Sequence, residues 1–225
     1  MPHDLSWDDY NAHQTGREPR PLLRLAIETY EALHDARLDA PSTRAGSTRV
    51  AIDLGCGEGV EVSALLDAGW TVHAVDGERA ALDRLAARTT TPARERLHLR
   101  PTTFAGLGPL PPADLVHSSY ALPYCAPEDF ARLWATARDA LSPGGVLAVQ
   151  LFGDRDGAAG DPEMTFHTAQ EARALVEGLE VVHWDEEDAP GPSYTGPKHW
   201  HVFHVVARRP ALLSARTTSA PVGHP

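Results

Sequence analysis

Apolar positions along the chain switch repeatedly between helical and strand spacing, and the breaks between them are short. Leu22, Leu23, Leu25, Ala26, Tyr30, Leu33 and Leu38 recur near helical spacing behind Pro19 and Pro21, which predicts a helix from Pro19 to about Leu38. The polar stretch Ala40–Ser47 interrupts it. A strand over Arg49–Leu54 then runs into Gly55, Gly57 and Gly59, and a helix over Glu58–Ala68 carries Val60, Val62, Leu65 and Leu66. A strand over Thr71–Val75 meets Asp76, a helix covers Glu78–Arg88, and a short strand covers Leu97–Leu99. Beyond the proline-rich stretch Gly108–Pro112 come a strand at Asp114–Ser118, a helix at Glu128–Leu141 and a strand at Val146–Phe152. Ser142-Pro143-Gly144-Gly145 stops that last helix.

This alternation predicts an α/β fold, a parallel sheet with helices on both faces. The pattern changes near the end. A helix at Thr168–Leu179 leads to two strands, Glu180–Trp184 and His199–Ala207, separated by an acidic, Pro/Gly-rich loop, Asp185–Lys198. Two strands without a helix between them predict an antiparallel hairpin at one sheet edge. From Arg208 onward the chain is rich in Pro, Ser, Thr and Ala and is expected to be disordered. The expected organisation is an N-terminal segment and helix over 1–48 that covers the active site, a domain over 49–208, and a tail over 209–225.

Composition narrows the function. With 225 residues, 42% of them hydrophobic, the chain can bury the core of one α/β domain. A formal charge of −11 with scattered Lys and Arg argues against a nucleic-acid partner. The 2 cysteines, Cys56 and Cys125, make neither a disulfide framework nor a zinc site. The N-terminus lacks the apolar core of a secretory signal, and no apolar run reaches the ~20 residues of a membrane span. The expectation is a cytoplasmic protein with reduced thiols, acting on no membrane.

Candidate chemistry concentrates in Asp53-Leu54-Gly55-Cys56-Gly57-Glu58-Gly59. A strand that ends in glycines and turns at once into a helix lets backbone approach a ligand closely. A dinucleotide fingerprint needs G-x-G-x-x-G, but Val60 or Val62 stands where its third glycine belongs. Asp53, expected to point toward the ligand at the strand's end, would repel a pyrophosphate and suit a cationic ligand. Asp76, closing the second strand about 20 residues later, can accept hydrogen bonds from both hydroxyls of a ribose.

Together with the strand Asp114-Leu115-Val116 and Leu141-Ser142-Pro143-Gly144-Gly145, these residues resemble the class I S-adenosylmethionine-dependent methyltransferases. The resemblance spans roughly Trp7 to Ala207. Trp7, Tyr10 and Gly69-Trp70-Thr71-Val72 are most similar to the small-molecule enzymes of the tellurite-resistance and thiopurine type. The resemblance implies a Rossmann-like, seven-stranded, mostly parallel sheet whose last strand is antiparallel. It implies that the Gly55–Gly59 loop, with Gly55, Cys56 and Gly57, holds the methionine part of S-adenosylmethionine and that Asp76 holds the ribose, with Asp53 and Gly77 also at the cofactor. Thr103 and Phe104 would then flank the adenine, and Ser118, Ser119 and Tyr120 would face the methyl group. Many relatives carry an Asp beside the adenine, where this chain has Thr102-Thr103-Phe104.

For the methyl acceptor, a small molecule, the candidate catalytic residues are Tyr10, His13 and Tyr120, with Trp7, Tyr124, Phe152 and Asp154 as further pocket residues. Trp7 and Tyr10 could equally pin the N-terminal segment to the core. His199 and His201 share one strand face and His204 the other, so packing and edge hydrogen bonds are expected rather than a metal. His117 reads as a core histidine and Cys56 as a small residue that fits. Cys125 is ambiguous, and the run Asp185–Asp188 reads as a solvated loop or a cap over a cationic acceptor. Substrate choice is expected to reside in the N-terminal segment and the loop before Lys198. Two rivals stay open: an NAD-linked oxidoreductase and a non-catalytic binding module.

Overall fold

The computed structural model describes residues 7–14, 16–35 and 48–211. Two N-terminal helices, α1 (Trp7–His13) and α2 (Pro21–Asp35), precede the alternating part. There follow β1 (Val50–Leu54), α3 (Val60–Asp67), β2 (Thr71–Asp76), α4 (Arg79–Arg88), α5 (Thr91–Arg94), β3 (Leu97–Pro101) and β4 (Ala113–Ser118). A single 3-10 turn at Leu122–Tyr124 leads to α6 (Pro127–Ala140), β5 (Leu141–Gly153), β6 (Phe166–His167), α7 (Ala169–Leu175), β7 (Glu180–Ser193) and β8 (Gly196–Arg208).

The sheet runs β3-β2-β1-β4-β5-β8-β7, with β6 attached to β5. Pairing is parallel from β3 through β5, while β8 lies antiparallel to both β5 and β7. This is the Rossmann-like sheet expected, with one short strand more. Phe166 and His167 pair with Phe152 and Gly153, too few residues for a periodicity to show. Central strands are buried throughout, as parallel strands covered on both faces must be. One face packs α6 through Phe130, Leu133 and Trp134, and α7 through Ala172, in one cluster with Leu147 and Phe203. The other packs α2, α3 and α4 through Leu23, Leu65 and Leu85 against Ala51, Leu115 and Val206.

Two sequence expectations need correction. Asp185–Lys198 is not a loop. β7 continues to Ser193 and pairs residue by residue with β8, Asp188 with His201 and Pro190 with His199. Prolines are tolerated because β7 is the sheet edge, where a missing N–H leaves no inner ladder broken. The helix before β5 also ends earlier than expected, at Ala140, and Leu141 already pairs with Ala113. Residues 36–38 of the expected first helix, all of the polar break and residues 212–225 of the expected tail lie outside the described residues. Arg209 exchanges backbone hydrogen bonds with Gly144 and Gly145, so order persists just past β8. Among the described residues no helix is long and apolar enough to cross a membrane.

Phe203 is fully buried where β8 meets Trp184 and the α6 face. Phe203→Ala is expected to lower the unfolding free energy by about 3–5 kcal/mol, read from denaturant midpoints at constant slope.

Candidate active site

Strand β1 ends in a turn that L side chains rarely adopt: φ is 72° at Gly55, 50° at Gly57 and 69° at Gly59. The turn is held from β2. The N–H groups of Gly55 and Cys56 both donate to the Val75 carbonyl, and Gly57 N–H donates to Asp76 Oδ2 at 2.7 Å. The other Asp76 oxygen accepts from Glu78 N–H at 2.8 Å. Burial raises the Asp76 carboxyl above the usual range, and these amide bonds oppose it. Side chains crowd the glycines closely. A Cβ on Gly55 would collide with that of Ala121 and stand 3.4 Å from the Phe104 ring, and one on Gly57 would stand 2.7 Å from the Asn11 amide oxygen. Thr103 lies against Gly77 in the same way.

Beside this turn opens a cavity of about 720 Å³, walled by aromatic residues including Tyr10, Tyr120, Tyr124, Phe152 and Trp200. Its size and apolar walls suit a small organic molecule. Adjacent residues connect turn and cavity: Asn11 meets Gly57 while Tyr10 lines the cavity, and Ala121 meets Gly55 while Tyr120 lines it. Tyr120 has φ 53°, the one positive value off glycine among the described residues. Such a conformation costs energy and persists only where the surroundings impose it.

Residues 52–147 match a family described as a methyltransferase domain. The chain is similar to methyltransferase domains over this stretch. Its fold is similar to TehB from Haemophilus influenzae, at 15% identity and TM-score 0.64 over 91% of this chain and 68% of that one. It is also similar to the N-methyltransferase NodS from Bradyrhizobium japonicum WM9 in complex with S-adenosyl-L-homocysteine, at 17% identity and TM-score 0.58, covering 92% of this chain and 100% of the other. A third similar structure is an S-adenosylmethionine-dependent methyltransferase from Mesorhizobium loti, at 24% identity and TM-score 0.55, over 77% and 96% of the two chains. No curated protein matches the chain in sequence.

The residues singled out in the sequence separate into three groups. Gly55, Gly57, Asp76, Gly77, Thr103 and Phe104 gather around one turn. Tyr10, His13, Tyr120, Tyr124 and Phe152 line the cavity. The third group is structural or lies elsewhere. Ser118 Oγ donates to the Leu54 carbonyl at 2.7 Å, while Ser119 Oγ is buried without a partner. Trp7 packs edge-on against Tyr124 at 4.7 Å between centroids and pins α1, although 39% of its surface is exposed. Asp154 is outside the cavity, 3.6 Å from Arg155.

Asp53 lies on β1 two residues before the turn's first glycine. It is buried and bonded to Nδ1 of His117, its register partner on β4, at 2.8 Å. Burial raises its carboxyl, against the pull of His117, and its second oxygen finds no partner among the described residues. His117 is thus a core histidine, as expected, with the motif aspartate as its partner. The Cys56 thiol is buried and pushed well up by burial and by the charge of Asp53, which removes it as a nucleophile. Cys125 is likewise buried, its thiol pushed up to about 11 chiefly by desolvation.

The acidic run is not a solvated loop either. Arg155 donates to Asp188 and to Glu186, both at 2.8 Å, and lies 2.9 Å from Nε2 of buried His201. Carboxylates do therefore reach a histidine here, across the β7–β8 ladder rather than by sequence spacing, with ligand atoms of Glu186, Asp188 and His201 within 4.8 Å of one another. A guanidinium already bridges the three. His199 lies 2.6 Å from Asp188 and His204 3.3 Å from Glu187.

Sequence reasoning missed Arg20, Lys198 and Trp200 of the cavity lining and Asn11 against Gly57, and reached Glu187 only as part of a possible cap. Asn11 and Arg20 belong to the N-terminal segment expected to govern substrate choice and Lys198 ends the expected loop, whereas Trp200 stands in the last strand and gave no signal. Also missed was the clamp that seats the N-terminal segment, in which Arg17 grips Glu61 of α3 through two bonds of 2.6 and 2.7 Å. Burial alone would raise the Glu61 carboxyl, but the Arg17 bonds and charge outweigh it and hold it low.

A lowered native pKa contributes stability that is present above the unfolded glutamate range and is lost as pH falls through the native value. Glu61→Gln is therefore expected to melt well below the parent at neutral pH. The gap should close as both are acidified below the glutamate range, measured as Tm against pH. A constant gap would remove the ion pair as its cause.

Proposed function

We propose that the protein transfers a methyl group from S-adenosylmethionine to a small molecule that attacks through sulfur, oxygen or nitrogen. The observation that carries this reading is the junction of glycine turn and aromatic cavity through Asn11–Tyr10 and Tyr120–Ala121. A cofactor seated on one side and an acceptor on the other would meet there.

The residues of the turn suit the cofactor. Its glycines keep the turn free of side chains so that its backbone stays exposed at close range, and each Asp76 oxygen accepts one amide hydrogen bond, leaving lone pairs for ribose hydroxyls. Gly77, Thr103 and Phe104 would border the adenine. Bound S-adenosylmethionine supplies an electrophilic methyl on a positive sulfur. The chain's own contribution is alignment and exclusion of water. Burial raises the Tyr120 phenol and pushes that of Tyr124 up to about 12, so both stay protonated at neutral pH and act as hydrogen-bond donors rather than bases. An acceptor with a proton to lose would hand it to His13 or Glu187, two of the other titratable groups that line the cavity. Residues 1–48 would serve as the cover of the site and 49–208 as the methyltransferase domain. The buried, unpaired thiols of Cys56 and Cys125 suit the cytoplasm.

Calorimetric titration is expected to give micromolar binding of S-adenosylhomocysteine and none of NADH. The reverse result would favour an oxidoreductase, and no binding of either by folded protein would favour a non-catalytic module. Asp76→Ala is expected to weaken S-adenosylhomocysteine binding by about 1.5–3 kcal/mol. Unchanged affinity would take Asp76 out of the site.

A further inference from the structure

The cavity wall is charged as well as aromatic, and its charges are unequally matched. Lys198 pairs with the buried carboxylate of Asp156 at 2.7 Å, and its ammonium lies 3.9 Å from the Trp200 centroid and 4.7 Å from that of Phe152. Glu187 has His204 beside it. Arg20 is different. Its main-chain N–H donates to Glu61 and its carbonyl accepts from Leu23 N–H, which fixes the residue at the head of α2. Its guanidinium carbon lies 4.5 Å from the centroid of Tyr120. Its Nε is buried without a hydrogen-bond partner, and among the described residues no ion pair joins it to a carboxylate.

A guanidinium carries five donors in a rigid fork, and an aromatic face satisfies its charge without accepting those hydrogens in plane. Against an aromatic wall a fork without acceptors is costly, and a carboxylate is the group whose geometry fits it. On the methyltransferase reading above, we propose that the methyl acceptor is an apolar or aromatic small molecule bearing a carboxylate, and that Arg20 binds that carboxylate. Tyr120, Tyr124, Phe152 and Trp200 cover the body of the molecule. Paired with a guanidinium, the carboxylate is a handle rather than the attacking group. A cationic acceptor would instead meet aromatic faces that Arg20 and Lys198 already cover.

The test uses the full chain saturated with S-adenosylhomocysteine, titrated with phenylacetate, indole-3-acetate and hippurate and with the primary amide of each. A charge-assisted bidentate contact predicts that the acids bind roughly ten-fold or more tighter than their amides. In Arg20→Met this preference should vanish while S-adenosylhomocysteine affinity stays within about two-fold. Arg20→Lys should keep part of the preference and guards against a folding defect, which the unfolding midpoint reads independently. Equal binding of acids and amides, or binding of none of the acids, overturns the proposal. So does an Arg20→Met protein that loses S-adenosylhomocysteine, which would give the guanidinium to the cofactor. Failure of the parent chain to bind S-adenosylhomocysteine at all would overturn the underlying methyltransferase reading instead.

Discussion

Asp76 takes the amide of Gly57 on one oxygen and that of Glu78 on the other, so the turns leaving β1 and β2 are fixed to each other by a single carboxylate. Everything at the carboxyl end of the sheet is placed relative to that pair of turns. The left-handed glycines keep the β1 turn low enough for Asn11 to reach it from α1 and Ala121 from the end of β4. Phe104 and Thr103 close it from beyond β3. Three segments far apart in sequence converge because one loop presents backbone where other folds present side chains.

A second constraint governs the cover. The N-terminal helices have no strand pairing to hold them, so their position rests on side chains. Arg17 is bound to buried Glu61, Asp8 lies 2.8 Å from Arg84, and α2 buries Leu22, Leu23, Ala26 and Tyr30 on the sheet. The first two contacts are ionic and the third is apolar, and an apolar anchor is indifferent to pH and salt where the ionic ones are not. Tyr10 and His13 reach the cavity on the ionically tethered part, whereas Arg20 sits against the apolar one.

Local patterns predicted the fold well, since β1 through β5 repeat a period that propensity and burial both reinforce. The glycine turn and Asp76 were legible because their chemistry is sequential: adjacent residues, one loop, one strand end. The Asp53–His117 pair was not, because it depends on the register of β1 with β4, 64 positions apart. Likewise Arg155, Glu186, Asp188 and His201 meet only through the β7–β8 ladder and the bend after β5. The antiparallel hairpin was expected, but its length was misread because prolines and glycines ordinarily signal a loop, and only the sheet's order shows that β7 has no outer neighbour among the described residues.

That edge position has a further result. An outermost strand offers its free amides to any extended chain that comes near, which is how sheets recruit unwanted strands. Pro190 and Pro192 withhold two of those donors along β7, and the neighbouring acidic side chains are drawn into ion pairs with Arg155, His199 and His204. The composition that disguises the strand is also what leaves its outer border unable to template another.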